Sequence, residues 1–418
     1  MGKTISEKIF STKAGSPVQA GDLVIAQVDM AMGQDGTTPL AIRSFEDMGG
    51  KSVFDPSRII FIIDHNAPSP LEAVSHLHDL MRQFATQYGV RLFDVGCGVC
   101  HELMMAQGLV VPGDLVIGAD SHTCTYGAIG AFSTGVGSTE LAAVMISGKL
   151  WFKVPETIRV ILNGTLPRGV FSKDIILYLA GQIGADGATY QAVEFSGPVI
   201  DRMEMDERFT ISNMAVEIGA KAGLMAPDYK TLAWLKNRAR RPYQSVYPDP
   251  DAMYQSTRTF DCSGLVPHVA LPHRVDTVKP VDEVADVPIR EAFLGTCTNG
   301  RAVDIEIAAR ILRGKVVHPD VRFIIAPASR EIFLTALEKG WVETIVTAGG
   351  VFVSPGCGPC VGTHQGVPGD EWNVISTANR NFKGRMGNNK AAIYLASPAT
   401  VAASALAGKI SDPRKYLG

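Results

Sequence analysis

The sequence predicts an α/β protein in three blocks, a three-domain α/β/α arrangement built on mostly parallel sheets. Three observations carry this. Short apolar runs alternate with amphipathic helical stretches along most of the 418 residues. Polar, chemistry-bearing residues stand just after those runs, where open α/β sheets bind their ligands. The chain is 46% hydrophobic and 19% charged with 42 glycines, the balance of a folded enzyme rather than of a disordered or fibrous chain, and its length exceeds what one core holds.

The first block spans residues 1–151. Thr4 and Glu7 read as a capping box that opens a helix ending at Gly15. That reading outweighs the loose myristoylation pattern at the same place. Apolar runs at 23–26, 59–63 and 115–117 predict strands, and 71–88 predicts a helix. The glycine-rich stretch 127–137 leads into a helix near Ser138. Glu140 stands where a dinucleotide fingerprint needs its third glycine, so a nucleotide site is excluded.

The second block spans 152–283. It opens with a strand over 154–162 and a helix over 172–184. Residues 238–257, rich in Arg, Pro, Tyr and Asp, read as a surface excursion, and 272–288 as a linker. The third block, 284–418, has the plainest doubly wound pattern. Strands are expected at 292–295, 321–326, 351–353 and 374–376, with helices over 301–313 and 329–339.

A net charge of -3 gives no case for nucleic acid or a membrane surface. No apolar run approaches a membrane span. The first residues lack the apolar core of a signal peptide, so the Asn163 sequon goes unused. Seven cysteines, an odd number without regular spacing, point to reduced thiols and a cytoplasmic location.

Three cysteines stand apart. Cys297 lies in Gly-Thr-Cys-Thr-Asn-Gly-Arg, and Cys357 and Cys360 in Pro-Gly-Cys-Gly-Pro-Cys-Val-Gly, each after a predicted strand. Three thiolates on loops at strand ends can hold an iron–sulfur cluster that takes four ligands, leaving one iron open as a Lewis acid. The Cys-x-x-Cys spacing alone also suits zinc or a redox dithiol, with Cys97 and Cys100 as the second pair. Otherwise Cys97, Cys100, Cys124 and Cys262 read as small buried or loop residues.

Asp64-His65, Cys100-His101-Glu102 and Asp120-Ser121-His122 all fall in the first block. A carboxylate beside a histidine orients the ring and raises its basicity, which suits proton transfer near neutral pH. His76, His78, His268, His273, His318 and His364 lack such company and read as structural. Asn379-Arg380-Asn-Phe-Lys-Gly-Arg385 follows a strand, and its arginines can clamp carboxylates through paired hydrogen bonds.

Together these segments resemble the aconitase superfamily over nearly the whole chain. The resemblance implies a [4Fe-4S] cluster on Cys297, Cys357 and Cys360. It implies acid–base roles for Asp64, His65, His101, Asp120, His122 and Glu194, the last in Ala-Val-Glu-Phe-Ser-Gly. It implies substrate carboxylates at Gln34, Ser121, Asn379, Arg380 and Arg385. The expected reaction is reversible dehydration of a hydroxy di- or tricarboxylate, first of all the isomerisation of 2- and 3-isopropylmalate in leucine biosynthesis. Homocitrate, citramalate and 2,3-dimethylmalate are alternatives, and a cluster-free RNA-binding regulator is a remote one. No segment after Lys409 matches the fourth domain of the larger relatives, which carries a catalytic serine. A separate small subunit bearing that swivelling domain is therefore the expected partner.

Overall fold

The computed structural model describes residues 2–417; Met1 and Gly418, the outer ends of the first and third blocks, lie outside it. The opening helix runs Ile5–Ala14, with the Thr4–Glu7 capping box formed and Gly15 closing it in the left-handed conformation. β1 (Leu23–Gln27) pairs antiparallel with β7 (Lys149–Lys153).

The first large sheet is five-stranded in the order β4-β3-β2-β5-β6. Its strands are β2 (Met30–Gln34), β3 (Ile59–Ile62), β4 (Arg91–Phe93), β5 (Leu115–Gly118) and β6 (Phe132–Gly135). All neighbours in it are parallel. β2, β3 and β5 are adjacent and buried end to end, as strands covered on both faces must be. Their carboxyl ends therefore release Gln34, Asp64 and Asp120 side by side.

A four-stranded parallel sheet has the order β10-β9-β8-β11. It uses β8 (Thr157–Asn163), β9 (Ala192–Ser196), β10 (Ala222–Leu224) and β11 (Ser256–Asp261). The expected strand over 154–162 begins later than the pattern suggests. Residues 154–156 are irregular between β7 and β8, because Pro155 has no N–H for a ladder.

The third sheet is seven-stranded, β13-β12-β18-β17-β14-β15-β16. It contains β12 (His268–Ala270), β13 (Val278–Pro280), β14 (Glu291–Leu294), β15 (Arg322–Ile325), β16 (Val351–Phe352), β17 (Asn373–Ser376) and β18 (Ala392–Leu395). β14 to β18 are parallel, and β12 and β13 add an antiparallel edge. Residues 272–288 are thus no plain linker: they carry β13 and the short helix Val281–Val284. Their backbone pairs with β12, and Val281 joins the core, so the segment satisfies its hydrogen bonds inside the sheet.

The first and third sheets meet at the cysteine loops. Cys357 N–H donates to the Asp64 carbonyl at 2.9 Å, and Val99 N–H to the Ala328 carbonyl at 2.8 Å. No helix among the described residues is long and apolar enough to cross a membrane.

Candidate active site

Cys297 sits one turn past β14, in the short helix Thr296–Asn299. Thr296 before it has φ 75°, an uncommon conformation for a β-branched residue that turns the thiol inward. Cys357 and Cys360 bracket a 3-10 turn, Gly358–Val361. Residues three apart eclipse in such a turn, so both thiols face one side. Gly358 has φ 58°, and a Cβ there would lie 2.9 Å from the Ala326 side chain.

The three thiols line one cavity of about 200 Å³. Gln34, His65, His101, Asp120, Ser121 and His122 line it from the first sheet, and Asn379, Arg380 and Arg385 from the third. N–H donors face the sulfurs. Asn213 Nδ2 lies 3.2 Å and Asn379 Nδ2 3.4 Å from Cys297 Sγ, and Arg385 Nη2 lies 3.2 Å from Cys360 Sγ. Burial pushes the Cys297 thiol up to about 11 and raises Cys357 further. Bare thiols gain little from such donors. Thiolates of an anionic cluster do gain, since hydrogen bonds to sulfur stabilise their charge. The donor set therefore fits the cluster.

The zinc alternative finds less support. Cys97 is only half-buried and turns toward Arg330 Nη2 at 3.8 Å. Cys100 comes close to Asp64 and His65, but Asp64 already spends both oxygens. Oδ1 pairs with His65 Nδ1 at 2.8 Å, and Oδ2 accepts Cys100 N–H at 2.7 Å. Cys124 and Cys262 are buried elsewhere.

The residues expected to handle protons form one hydrogen-bonded chain. His65 Nε2 lies 3.3 Å from Asp120 Oδ2, and His101 Nε2 2.8 Å from Asp120 Oδ1. His101 Nδ1 meets Tyr126 Oη at 3.1 Å. Burial disfavours charge on His65, but the Asp64 carboxylate, Cys357 and the Asp120 bond outweigh it and hold its pKa well above the usual histidine range. Burial would raise Asp120 too, yet His101 and the bonds from His122 and His65 hold it well below the carboxylate range.

One sequence expectation is corrected. Glu194, on β9, is not brought to this cavity. Its Oε1 accepts Ile5 N–H at 2.7 Å and its Oε2 the Tyr254 hydroxyl at 2.7 Å. It caps the N-terminus of the opening helix, where an anion offsets the helix dipole. Glu217 instead touches two residues that do line the cavity. Its Oε1 lies 2.7 Å from His122 Nε2 and 2.8 Å from Arg380 Nε. Burial opposes its charge, but His122 and Arg380 hold its pKa below the usual value.

Sequence reasoning also passed over three supports. The Asp35 carboxylate accepts the N–H groups of Asp64, His65 and Asn66 at 2.7–2.8 Å and fixes that turn. Lys173, fully buried, donates to the Thr377 and Ala378 carbonyls at 2.8 Å each, bracing the approach to Asn379. Asn213 accepts from Thr298 Oγ1 and Asn379 Nδ2 and ties the two loops together. The one available signal was polar residues inside apolar runs, as in Ile211-Ser-Asn213-Met-Ala-Val-Glu217, because a buried polar group needs a partner.

The aconitase family (aconitate hydratase) model matches residues 7–288 and 279–408. The chain is 53% identical over 420 residues to a 3-isopropylmalate dehydratase large subunit from Thermotoga maritima, covering all of both chains. It is 49% identical over 418 residues to another from Methanopyrus kandleri, again over all of both. A probable methanogen homoaconitase large subunit from Methanosarcina mazei is 50% identical over 393 residues, 94% of this chain and all of that one.

Proposed function

We propose that this chain, a member of the aconitase family, is the large, cluster-bearing subunit of a hydro-lyase that dehydrates and rehydrates a hydroxy di- or tricarboxylate. The relatives named for 3-isopropylmalate favour 2- and 3-isopropylmalate as the substrates, in leucine biosynthesis. The homoaconitase relative keeps homocitrate as the second reading. The observation that carries the proposal is the convergence of three thiols, an acid network and two arginines on one small cavity.

Cys297, Cys357 and Cys360 hold the [4Fe-4S] cluster in this reading. When bound, such a cluster with one iron free of cysteine supplies Lewis acidity that makes hydroxide a tolerable leaving group. His65, kept protonated by Asp64 and Asp120, donates a proton from Nε2 to the departing oxygen. His101 and Asp120 keep that ring oriented. His122 and Glu217 hold Arg380 so that its remaining guanidinium N–H groups face a substrate carboxylate. Arg385, Asn379, Ser121 and Gln34 complete the carboxylate site, and orientation of this kind supplies large rate factors. Burial excludes water and strengthens each of these contacts.

The base for the carbon-bound proton comes from a separate small subunit, as the large-subunit names of the relatives suggest. The three blocks, 1–151, 152–283 and 284–418, act as three domains around the cavity. The test is an assay of the chain with its small subunit on 2- and 3-isopropylmalate, homocitrate, citramalate and 2,3-dimethylmalate. Selective turnover of isopropylmalate supports the first reading. Selective turnover of homocitrate supports the second, and binding of RNA without any turnover overturns both.

A further inference from the structure

Lys173 stands second in the helix Ser172–Ile183 and is 0% exposed. Two costs meet there. Burial strips an ammonium of its water, and the N-terminus of a helix is the end that disfavours a cation. No carboxylate among the described residues answers the charge with an ion pair. Asp174, its neighbour, gives its oxygens to the Phe171 and His268 N–H groups. Asp304 is spent on the Arg301 N–H and Asn299 Nδ2, and Glu217 on His122 and Arg380. The ammonium donates only to the Thr377 and Ala378 carbonyls. A neutral amide or hydroxyl would bond such carbonyls without the cost of burying a charge, so the charge itself needs a use.

The two carbonyls lead to the sulfurs. Ala378 precedes Asn379, whose Nδ2 lies 3.4 Å from Cys297 Sγ and whose Oδ1 lies 3.7 Å from Cys360 Sγ. Thr377 Oγ1 accepts the Gly295 N–H at 2.9 Å, two residues before Cys297. Lys173 therefore stands one backbone step behind the side chain that touches two of the three thiols. It does not line the cavity, so it has no place against the substrate. Burial pulls its pKa down to about 7, and Cys297 and Cys360 lead the charges that oppose the fall. A buried cation that no carboxylate answers calls for another anion close by. A thiolate-bound cluster on Cys297, Cys357 and Cys360 is such an anion.

We propose that Lys173 is the buried counter-cation of the cluster, a positioning residue that offsets the negative charge gathered on Cys297 and Cys360 and holds Asn379 against both. The inference rests on the cluster reading above. Asn213, Asn379 and Arg385 serve the sulfurs by direct hydrogen bonds, whereas Lys173 acts through the field of its charge, which the dry surroundings screen weakly. Without the cluster that charge is unanswered. With it, cation and anion stabilise each other, so the lysine favours holding the cluster and favours its more negative, reduced state.

The test compares the full parent chain with Lys173→Met, which keeps the length without the charge, and Lys173→Gln, which keeps a donor without the charge. Each is loaded anaerobically with iron and sulfide. Three quantities are read: the rate of iron release to a chelator, the midpoint potential of the cluster, and Tm before and after loading. Both variants should release iron about tenfold faster or more, the loss of one charge-assisted interaction, and their potentials should fall below the parent's. The rise in Tm on loading should be smaller in both than in the parent. A lysine that only braces the Thr377–Ala378 backbone would instead lower Tm equally before and after loading and leave the potential where it was. That pattern, an unchanged rate of iron release, or variants that fail to fold without the cluster overturns the proposal. Failure of the parent chain itself to take up iron and sulfide would remove the cluster reading, and this inference with it.

Discussion

His122 Nε2 lies 2.7 Å from Glu217 Oε1, and the two residues are 95 positions apart in the chain. The same carboxylate oxygen also receives Arg380 Nε at 2.8 Å. One oxygen thus joins His122 of the first block to Arg380 of the third. Glu217→Gln removes the charge that both partners share. Cluster iron should stay near the wild-type level while kcat/KM falls about 10²–10⁴-fold, the range for disturbing positioned acid–base groups. Glu194→Gln should instead lower Tm and leave kcat near the wild-type value. Steady-state kinetics and iron content of both variants check this. The reverse pattern would restore Glu194 to the active site.

Cys297→Ser, Cys357→Ser and Cys360→Ser should each lose iron and sulfide from anaerobically prepared protein. Cys97→Ser and Cys100→Ser should keep both, because neither thiol lines the cavity. Metal analysis that finds zinc dependent on Cys97 and Cys100 would reject the cluster.

Arg380→Lys should retain the cluster but bind and turn over substrate poorly. Lysine keeps the charge and loses the planar fork that lets one guanidinium serve Glu217 and a substrate carboxylate together. The expected loss in kcat/KM is about 2–5 kcal/mol, as for truncating one partner of a buried charge pair.

Asp174 offers a pH test. Burial raises its carboxyl from 3.8 to about 7, although the Phe171 and His268 N–H groups bind it. The folded chain therefore binds a proton here that the unfolded chain has released. This contribution to stability is whole below the unfolded pKa of 3.8 and is lost as pH rises through about 7. The Tm of the parent chain relative to that of Asp174→Asn should fall across that window. A relative Tm that rises with pH would contradict the sign.

The strongly apolar strands, the capping box at Thr4 and the loops after β14 and β16 were legible because local rules fix them. β2 was not. Met-Ala-Met-Gly-Gln has no β-branched residue, and only its place between β3 and β5 makes it a strand. The strands β12 and β13 were hidden because three residues each are too few to show a period. At the site, Asp64-His65 and Asp120-Ser121-His122 carry partner and ring within one motif. Glu217, Asn213 and Lys173 meet their partners only through folding, between 84 and 205 residues away. Glu194 misled because the resemblance was carried onto Ala-Val-Glu-Phe-Ser-Gly, and its bonds to Ile5 and Tyr254 form only on folding.

The dependence of the reaction on a second chain is tested most directly by one comparison. The dehydratase rate of the cluster-replete chain is measured alone and with its small subunit, on isopropylmalate. In the proposed mechanism the residues of the cavity supply a proton to the leaving oxygen and clamp carboxylates, and the base for the carbon-bound proton lies on the partner. The chain alone should be slower by about 10²–10⁴-fold, the usual cost of a missing positioned base, and addition of the small subunit should restore the rate. Full activity from the isolated chain would contradict the two-subunit account and require a base among its own residues.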